Sequence, residues 1–223
     1  MKYPEDYINK VIQGDCLEVM KGMPDKCVDA VITDIPYNIS QESNGLREID
    51  YGEWDKNISL ETVNQWVSEM ARLTKGSLYI FCGNEQFSPI FSQLKQLGFI
   101  VRKYVWLKTN PSVMNGQNFW LSSDELCVCA KLPSSYYNGN CEKAYKVIGS
   151  PTGRVHPTQK PIELMNEFII RSVPEGGLVL DPFAGSGTTL RACKDQNRNF
   201  IGVERDTTYV EIINERLAQD LLF

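Results

Sequence analysis

The stretch Leu178-Val179-Leu180-Asp181-Pro182-Phe183-Ala184-Gly185-Ser186-Gly187-Thr188-Thr189 decides the fold class. An apolar strand runs into a glycine-rich turn, and a helical pattern begins at the two threonines. Glycines let the backbone come close to a ligand, and an acidic residue at the end of the next strand can accept both hydroxyls of a ribose. Glu204, which ends Phe200-Ile201-Gly202-Val203-Glu204, has that position. The two segments together predict a nucleotide cradle in a Rossmann-like fold.

The rest of the chain alternates between strand and helix patterns. Short apolar segments rich in β-branched and aromatic residues are followed by segments with apolar residues at three- and four-residue spacing. This is typical of an α/β protein with a mostly parallel sheet and helices on both faces. The predicted strands are Lys10–Gln13, Val28–Thr33, Ser77–Cys82, Ile100–Leu107, Glu125–Lys131, Leu178–Leu180 and Phe200–Val203. The predicted helices are Leu60–Leu73, Glu85–Leu97, Ile162–Ser172, Thr188–Gln196 and Tyr209–Leu217.

Size and composition exclude several classes of protein. A chain of 223 residues, 42% of them hydrophobic, can bury one sizeable core, so we expect a single domain over residues 1–223. No apolar run approaches the ~20 residues of a membrane span, and the N-terminus does not resemble a signal peptide. We therefore expect the protein in the cytoplasm of a prokaryotic or phage-infected cell, without a membrane partner. Seven scattered cysteines and one histidine offer no closely spaced ligand set, so no metal site is expected.

Two irregular segments interrupt the alternation, residues 38–57, which we interpret as a mobile loop, and residues 132–157. Long irregular segments in a compact domain are usually functional or mobile. The net charge of −5 argues against binding nucleic acid over the whole surface. Basic residues are concentrated in the stretch of residues 131–160, which could be a patch that contacts phosphates or an ordinary solvated loop. Its charged residues are Lys131, Lys143, Lys146, Arg154 and Lys160, against Glu142 alone.

A second informative segment is Asp29-Ala30-Val31-Ile32-Thr33-Asp34-Ile35-Pro36-Tyr37-Asn38, a buried strand that ends in an acid, a proline and an aromatic residue. Residues just past the carboxyl end of a parallel strand face the ligand crevice. Residues 34–37 resemble the catalytic Asp-Pro-Pro-Tyr motif of the DNA amino-methyltransferases. Phe183, Gly185 and Gly187 are similar to the Phe-x-Gly-x-Gly cofactor motif of the same family. The order of the motifs, catalytic first and cofactor second, resembles the beta group.

The resemblance extends over nearly the whole chain. Gly14-Asp15-Cys16 is similar to the turn that contacts the cofactor adenine, and residues 156–161 resemble the segment that precedes the cofactor motif. The resemblance implies the class I methyltransferase fold, a seven-stranded sheet with one antiparallel strand and permuted motif order, and S-adenosyl-L-methionine as cofactor. The implied cofactor-binding residues are Asp15, Cys16, Asp34, Lys160, Asp181, Phe183, Ala184, Gly185, Ser186, Gly187, Thr188, Glu204 and Arg205.

The residue types of the catalytic segment fit methyl transfer to an exocyclic amino group. That nitrogen is a poor nucleophile because its lone pair is delocalised into the ring of the base. Asp34 and the backbone carbonyl of Ile35 would each accept one N–H hydrogen bond and direct the lone pair towards the methyl donor. Tyr37 would stack on the base, which has to leave the duplex to reach the site. The catalytic segment is thus Asp34, Ile35, Pro36 and Tyr37.

One position of that segment departs from the family, since Ile35 stands where the motif has its first proline. Isoleucine supplies the same carbonyl, but it adds an N–H group and loosens the turn that proline would fix. Asp34 favours N6 of adenine as the target, because the cytosine-N4 enzymes more often have serine there. The alternatives are cytosine-N4 methylation, methylation of RNA or of a protein amide, where asparagine is more usual at this position, and a weakened module that binds cofactor or DNA without catalysis.

Residues 132–157 are the expected place for an insertion that reads the DNA sequence. The insertion is short, so either a few side chains read a brief site or recognition is shared with a second subunit in a homodimer. Lys143, Lys146 and Arg154 are the candidate DNA contacts. The implied partner is DNA, and a role in restriction–modification adds a cognate restriction endonuclease as a further candidate partner.

Overall fold

A central sheet of eight strands organises the chain in the computed structural model, which describes residues 1–37, 58–111, 120–140, 142–152 and 159–219. The predicted loop 38–57 lies outside the described residues, as do Arg154 and His156. The elements are β1 Lys10–Gln13, α1 Cys16–Lys21, β2 Val28–Asp34, α2 Leu60–Leu73, β3 Thr74–Cys82, α3 Asn84–Gln96, β4 Ile100–Leu107, β5 Asp124–Lys131, β6 Tyr145–Val147, α4 Ile162–Ser172, β7 Leu178–Asp181, α5 Thr188–Asp195, β8 Asn199–Glu204 and α6 Thr207–Ala218.

The strand order is β1-β8-β7-β2-β3-β5-β4-β6. Strand β5 runs antiparallel to both of its neighbours, and the other strand pairs are parallel, as the sequence predicted. The predicted number of seven strands is corrected to eight by β6, which pairs with β4 at the edge of the sheet. Its three residues are too few for a periodic pattern, and the pairing with β4 makes them a strand.

Helices cover both faces of the sheet, again as predicted. Successive side chains of a strand point to opposite faces, so Leu78 packs in a core cluster with residues of α2 and α3, whereas the adjacent Tyr79 packs in a second cluster with residues of α4 and α5. Tyr79 stacks on Phe168 of α4 with ring centroids 4.2 Å apart. Among the described residues, no helix has the length and apolar character needed to cross a membrane.

The strand directions bring several chain segments to one edge of the sheet, which we call the carboxyl edge. The five adjacent strands β1, β8, β7, β2 and β3 all end there. Because β5 is antiparallel, it begins at this edge, and its second residue, Glu125, lies close to the end of β3. Sequence segments from both halves of the chain therefore meet where a parallel sheet normally binds its ligand.

Candidate active site

The catalytic segment leaves β2 at the carboxyl edge. The N–H of Ile35 donates to the backbone carbonyl of Phe81 at 3.2 Å, and the Ile35 side chain is fully buried in the core. Pairing with β3 thus continues one residue beyond β2, through a hydrogen bond that proline cannot make. The N–H that isoleucine adds is therefore used in a backbone contact, which opposes the loosening expected for this turn.

A glutamine of α3 fixes the next residue of the segment. Gln86 is buried, donates from Nε2 to the carbonyl of Pro36 at 2.8 Å, and accepts the N–H of Gly83 at 2.9 Å through Oε1. Glutamine three residues after a helix N-cap is the reciprocal half of a capping box. The motif Gly83-x-x-Gln86 was therefore readable in the sequence as a helix start, but its contact with Pro36 was not predicted.

The side chain of Asp34 belongs to a cluster of alternating charges. The ammonium group of Lys160 contacts Asp34 Oδ2 and lies 2.9 Å from Glu125 Oε2. The other oxygen of Glu125, Oε1, lies 2.7 Å from the ammonium nitrogen of Lys108, and the Tyr37 hydroxyl donates to Glu125 Oε2 at 3.2 Å. We call Asp34, Lys160, Glu125 and Lys108 the acid–lysine cluster.

Burial and mutual attraction set the charges in the acid–lysine cluster. Burial raises the pKa of Asp34, Lys160 opposes this effect, and Glu125 adds to it, with the pKa raised on balance. Burial alone would lower the pKa of Lys160, but the two carboxylates outweigh it and the pKa is raised. Burial alone would raise the pKa of Glu125, but the two lysines outweigh it and the pKa is lowered. Lys160 is therefore cationic and Glu125 anionic at neutral pH.

The two oxygens of Asp34 differ in their contacts. Oδ1 is buried and accepts no hydrogen bond from any described residue, whereas Oδ2 is held by Lys160. A buried acceptor without a donor is unfavourable, typically by about 1–3 kcal/mol. An N–H group is the kind of donor that would satisfy Oδ1, and the acceptor role of Asp34 stays a prediction.

The glycine turn after β7 closes onto Glu204. Oε2 of Glu204 accepts the N–H of Gly185 at 2.8 Å, and Oε1 accepts the N–H groups of Arg205 and Asp206. Gly187 has a φ of 75°, and a Cβ atom placed there would lie 2.9 Å from a side-chain carbon of Ile213. Only a glycine fits this position without strain.

Asp181, the last residue of β7, holds the start of the same turn. Its Oδ1 accepts the hydroxyl of Thr33 at 2.7 Å and the N–H of Phe183 at 3.2 Å. Burial raises the pKa of Asp181 to about 6, although hydrogen bonds to the carboxylate oppose this shift. The ring of Phe183 makes an edge contact with Trp66 of α2 at 4.7 Å. Asp181 thus links β7 to β2, and Trp66 is a contact that the sequence did not reveal.

The turn after β1 lies beside Glu204. The N–H of Gly14 donates to the Glu204 carbonyl at 3.0 Å. Asp15 caps α1 by accepting the N–H groups of Leu17 and Glu18, and Cys16 is buried, with its pKa raised to about 12 by burial and by Asp15. The structure therefore brings this segment to the predicted cofactor region, with the Asp15 carboxylate acting as a helix cap.

The remaining predicted cofactor residues differ in their surroundings. The N–H of Ala184 donates to the carbonyl of Val203, which ties the turn to β8. Arg216 of α6, which the sequence did not single out, donates to the Ser186 carbonyl at 3.0 Å and to the Thr188 hydroxyl at 3.2 Å. Arg205 is exposed. Lys160, predicted as a cofactor contact, lies between Asp34 and Glu125.

The candidate DNA contacts lie on and near β6. Lys146 forms an ion pair with Glu167 of α4 at 3.0 Å. Lys143 is exposed, with its ammonium group 5.8 Å from the ring centroid of Tyr145. Arg154 lies outside the described residues. The predicted insertion thus contributes an edge strand of the sheet, and Lys143 is the better exposed of the two described candidates.

Comparison with known proteins identifies the family. The DNA methylase family of N6 and N4 methyltransferases matches residues 28–147 and 131–215. The Type II methyltransferase M2.DpnII of Streptococcus pneumoniae is 31% identical over 96% of this chain and 92% of its own length. The Type II methyltransferase M.HinfI of Haemophilus influenzae is 27% identical over 96% of this chain and 69% of its own length.

A solved structure agrees with the sequence comparisons. The crystal structure of the M1.HpyAVI–SAM complex aligns with a TM-score of 0.72 at 28% identity, over 93% of this chain and 98% of that chain. These similarities confirm the predicted class I methyltransferase fold and S-adenosyl-L-methionine as the cofactor. Together with the catalytic and glycine motifs at one edge of the sheet, they establish that the chain belongs to the DNA methylase family of N6 and N4 amino-methyltransferases.

Proposed function

We propose that the protein transfers a methyl group from S-adenosyl-L-methionine to N6 of an adenine that has left the DNA duplex. The observation that carries this proposal is Asp34, whose Oδ1 is buried and accepts no hydrogen bond from the described residues. A carboxylate oxygen at this position is the acceptor that an amino group requires.

The turn residues are suited to hold the cofactor. Gly187 has a positive φ and packs against Ile213 of α6, which fixes the path of the turn between β7 and α5. Glu204 orders this turn through Gly185, and its Oε2, which accepts that one N–H, keeps a lone pair for a hydroxyl group of the ligand. When bound, S-adenosyl-L-methionine supplies a methyl group on a positively charged sulfur.

The catalytic segment would orient and activate the base. Asp34 Oδ1 would accept one amino N–H and the carbonyl of Ile35 the other, which directs the nitrogen lone pair out of conjugation. The contacts of Ile35 with Phe81 and of Pro36 with Gln86 hold these acceptors in place before the base arrives. Preorganised acceptors of this kind lower the barrier without reorganisation during the reaction.

Lys160 would keep Asp34 ionised in its buried position. Burial favours the neutral carboxyl group, and the adjacent ammonium group opposes that tendency. A neutral Asp34 would be a weaker acceptor for the amino group. We therefore propose that Lys160 acts on Asp34 of the catalytic segment.

The choice of adenine over cytosine rests on the acid at position 34. The family includes enzymes of both kinds, and cytosine-N4 members more often have serine where Asp34 stands. Either amino group could donate to Asp34 and to the Ile35 carbonyl. The proposal is therefore adenine N6, with cytosine N4 as the outcome that would correct it.

Product analysis tests the proposed function. The purified protein is incubated with S-adenosyl-L-methionine and unmethylated DNA, the DNA is digested to nucleosides, and methylated species are identified by mass spectrometry. We expect N6-methyldeoxyadenosine, and its absence with Asp34→Ala. N4-methyldeoxycytidine would change the target base. Cofactor binding without a methylated product on DNA would overturn the proposal.

A further inference from the structure

Glu125 is a buried carboxylate that the proposed reaction does not yet use. Its side chain is 15% exposed, and it lies at the start of β5, whose direction brings it to the carboxyl edge. Oε2 accepts the Tyr37 hydroxyl and contacts the Lys160 ammonium group, and Oε1 contacts Lys108. The Glu125 carboxylate therefore connects Tyr37, which is proposed to stack on the base, to Lys160, which pairs with Asp34.

The two contacts at Oε2 restrain both ends of the catalytic segment. Asp34 is held through Lys160, and Tyr37 is held through its hydroxyl group. The ammonium group of Lys160 lies 5.3 Å from the centroid of the Tyr37 ring, within the range of a cation–π contact. Glu125 is thus a contact shared by the counter-ion of Asp34 and by Tyr37, in addition to the direct interaction of the Tyr37 hydroxyl with Asp34.

Burying a cluster of charges costs free energy of desolvation, so such a cluster contributes little to the stability of a fold. Desolvation of several ions costs several kcal/mol each, and well-packed apolar residues often serve stability as well or better. Lys108, with 20% of its side chain exposed, contacts the other oxygen of Glu125 and is, after Lys160, the second positive charge that lowers the pKa of Glu125. The arrangement makes physical sense if the position of Lys160 and Tyr37 matters for the reaction.

We propose that Glu125 is a positioning residue for methyl transfer, which holds Lys160 beside Asp34 and Tyr37 in its stacking position, with Lys108 as its counter-ion. Glu125 acts through these neighbours and does not touch the base. This inference rests on the proposed function, because it requires that Asp34 and Tyr37 act on the base.

Glu125→Gln tests the proposal with little change in volume. An amide has one oxygen, so its NH₂ group faces Lys108 or Lys160 whichever way the amide turns. The variant therefore loses one of the lysine contacts. We expect the single-turnover rate at saturating DNA and cofactor to fall about 10- to 100-fold, because small displacements of reacting groups have effects of that size. Cofactor affinity should stay within about twofold of the wild type, since Glu125 is not part of the glycine turn.

The pH profile distinguishes positioning from a purely structural role. The titratable groups that act on Asp34 are Lys160, Glu125 and Tyr37, with Cys82, Cys127 and Asp181 nearby. Loss of the Glu125 charge alone would lower the pKa of Asp34 and move the acidic limb of kcat/KM to lower pH, whereas release of Lys160 from Asp34, which the proposal predicts, would raise that pKa and move the limb to higher pH. A residue that only stabilises the fold would lower the melting temperature without moving the limb to higher pH.

Two further variants serve as controls. Glu69→Gln removes a similarly buried carboxylate that pairs with Arg72 away from the carboxyl edge, and it should leave rate and pH profile unchanged. In Lys108→Met/Glu125→Gln the amide can turn its NH₂ group towards the methionine and its oxygen towards Lys160 and Tyr37. This double variant should recover several-fold in rate over Glu125→Gln.

Three results decide the inference. A Glu125→Gln enzyme with wild-type rate and pH profile would overturn it, as would a rate loss that Glu69→Gln reproduces. If Glu125→Gln does not fold, the inference stands or falls on Tyr37→Phe, which removes the hydroxyl bonded to Glu125 and should slow the single turnover with unchanged cofactor affinity. Failure of the proposed function is separate, because the wild-type protein itself would then give no methylated DNA.

Discussion

Asp34 and Lys160 form a partly buried ion pair although 126 positions separate them in the chain. Asp34 ends β2, and Lys160 precedes α4, so the pair joins the catalytic segment to the approach of the cofactor segment. The pair leaves Asp34 Oδ1 without a donor among the described residues. This asymmetry between the two oxygens is the basis of the first two predictions.

Replacing Asp34 with asparagine should reduce the single-turnover rate at least about 100-fold, because a neutral amide is a weaker acceptor than a carboxylate. Cofactor affinity, measured by calorimetry, should change by less than about threefold. A parallel loss of rate and cofactor affinity would instead assign Asp34 to the cofactor, as the family resemblance also allows.

Replacing Lys160 with methionine should move the acidic limb of kcat/KM to higher pH. Burial and Glu125 raise the pKa of Asp34, and Lys160 lowers it, so removal of Lys160 leaves the two raising effects. Initial rates between pH 5 and 9 measure the limb. Lys75→Met, which removes the partner of Asp29 at the opposite edge of the sheet, is the matched control. An unshifted limb in Lys160→Met would contradict the assigned role.

Replacing Asp181 with asparagine should change how stability depends on pH. The folded-state pKa of about 6 lies above the usual value of 3.8, so the folded protein holds this proton more tightly than the unfolded chain. The resulting stabilisation is present below pH ~4 and is lost as the pH rises through ~6, which corresponds to about 3 kcal/mol for roughly two pKa units.

The measurement is urea unfolding of wild-type and Asp181→Asn protein without cofactor at several pH values. The free energy of unfolding of the variant, relative to wild type, should increase by up to about 3 kcal/mol between pH 4 and pH 7. A difference that stays constant over this range would show that the carboxyl group titrates normally in the folded protein.

Replacing Gly187 with alanine should destabilise the fold through two effects. The φ of 75° is strained for alanine, and the new Cβ would lie 2.9 Å from Ile213. Gly98→Ala is the matched control, since its φ is 86° but nothing lies within 4 Å of the new Cβ. We expect Gly187→Ala to lose about 1–3 kcal/mol more than Gly98→Ala in urea unfolding. Equal losses would mean that α6 moves aside without cost.

Reversing the charge of Lys143 should weaken DNA binding. Lys143 is exposed near β6, so its reversal should cost little stability, while the slope of log affinity against log salt falls by about 1. Lys95→Glu is the control, because Lys95 lies in the last turn of α3, at the opposite edge of the sheet. Unchanged affinity and salt dependence in Lys143→Glu would remove this residue from the DNA contacts.

Local patterns determined most of the elements. The strand Ile100–Leu107 and the helices Leu60–Leu73 and Ile162–Ser172 have the predicted bounds, because their apolar spacing matches one regular structure over a long run. Helix α1 and strand β6 were missed. Each is too short for a periodic signal, and α1 depends on the cap by Asp15.

The sequence by itself also placed Asp34 and the glycine turn at the ends of strands, and it therefore determined where the site lies. Only the tertiary structure decided which groups surround Asp34. Glu125 was predicted to begin a strand, but its approach to Lys160 depends on the antiparallel direction of β5 between β3 and β4. Apolar periodicity specifies which face of a strand is buried and leaves its direction and neighbours open, because those follow from packing between segments far apart in the chain.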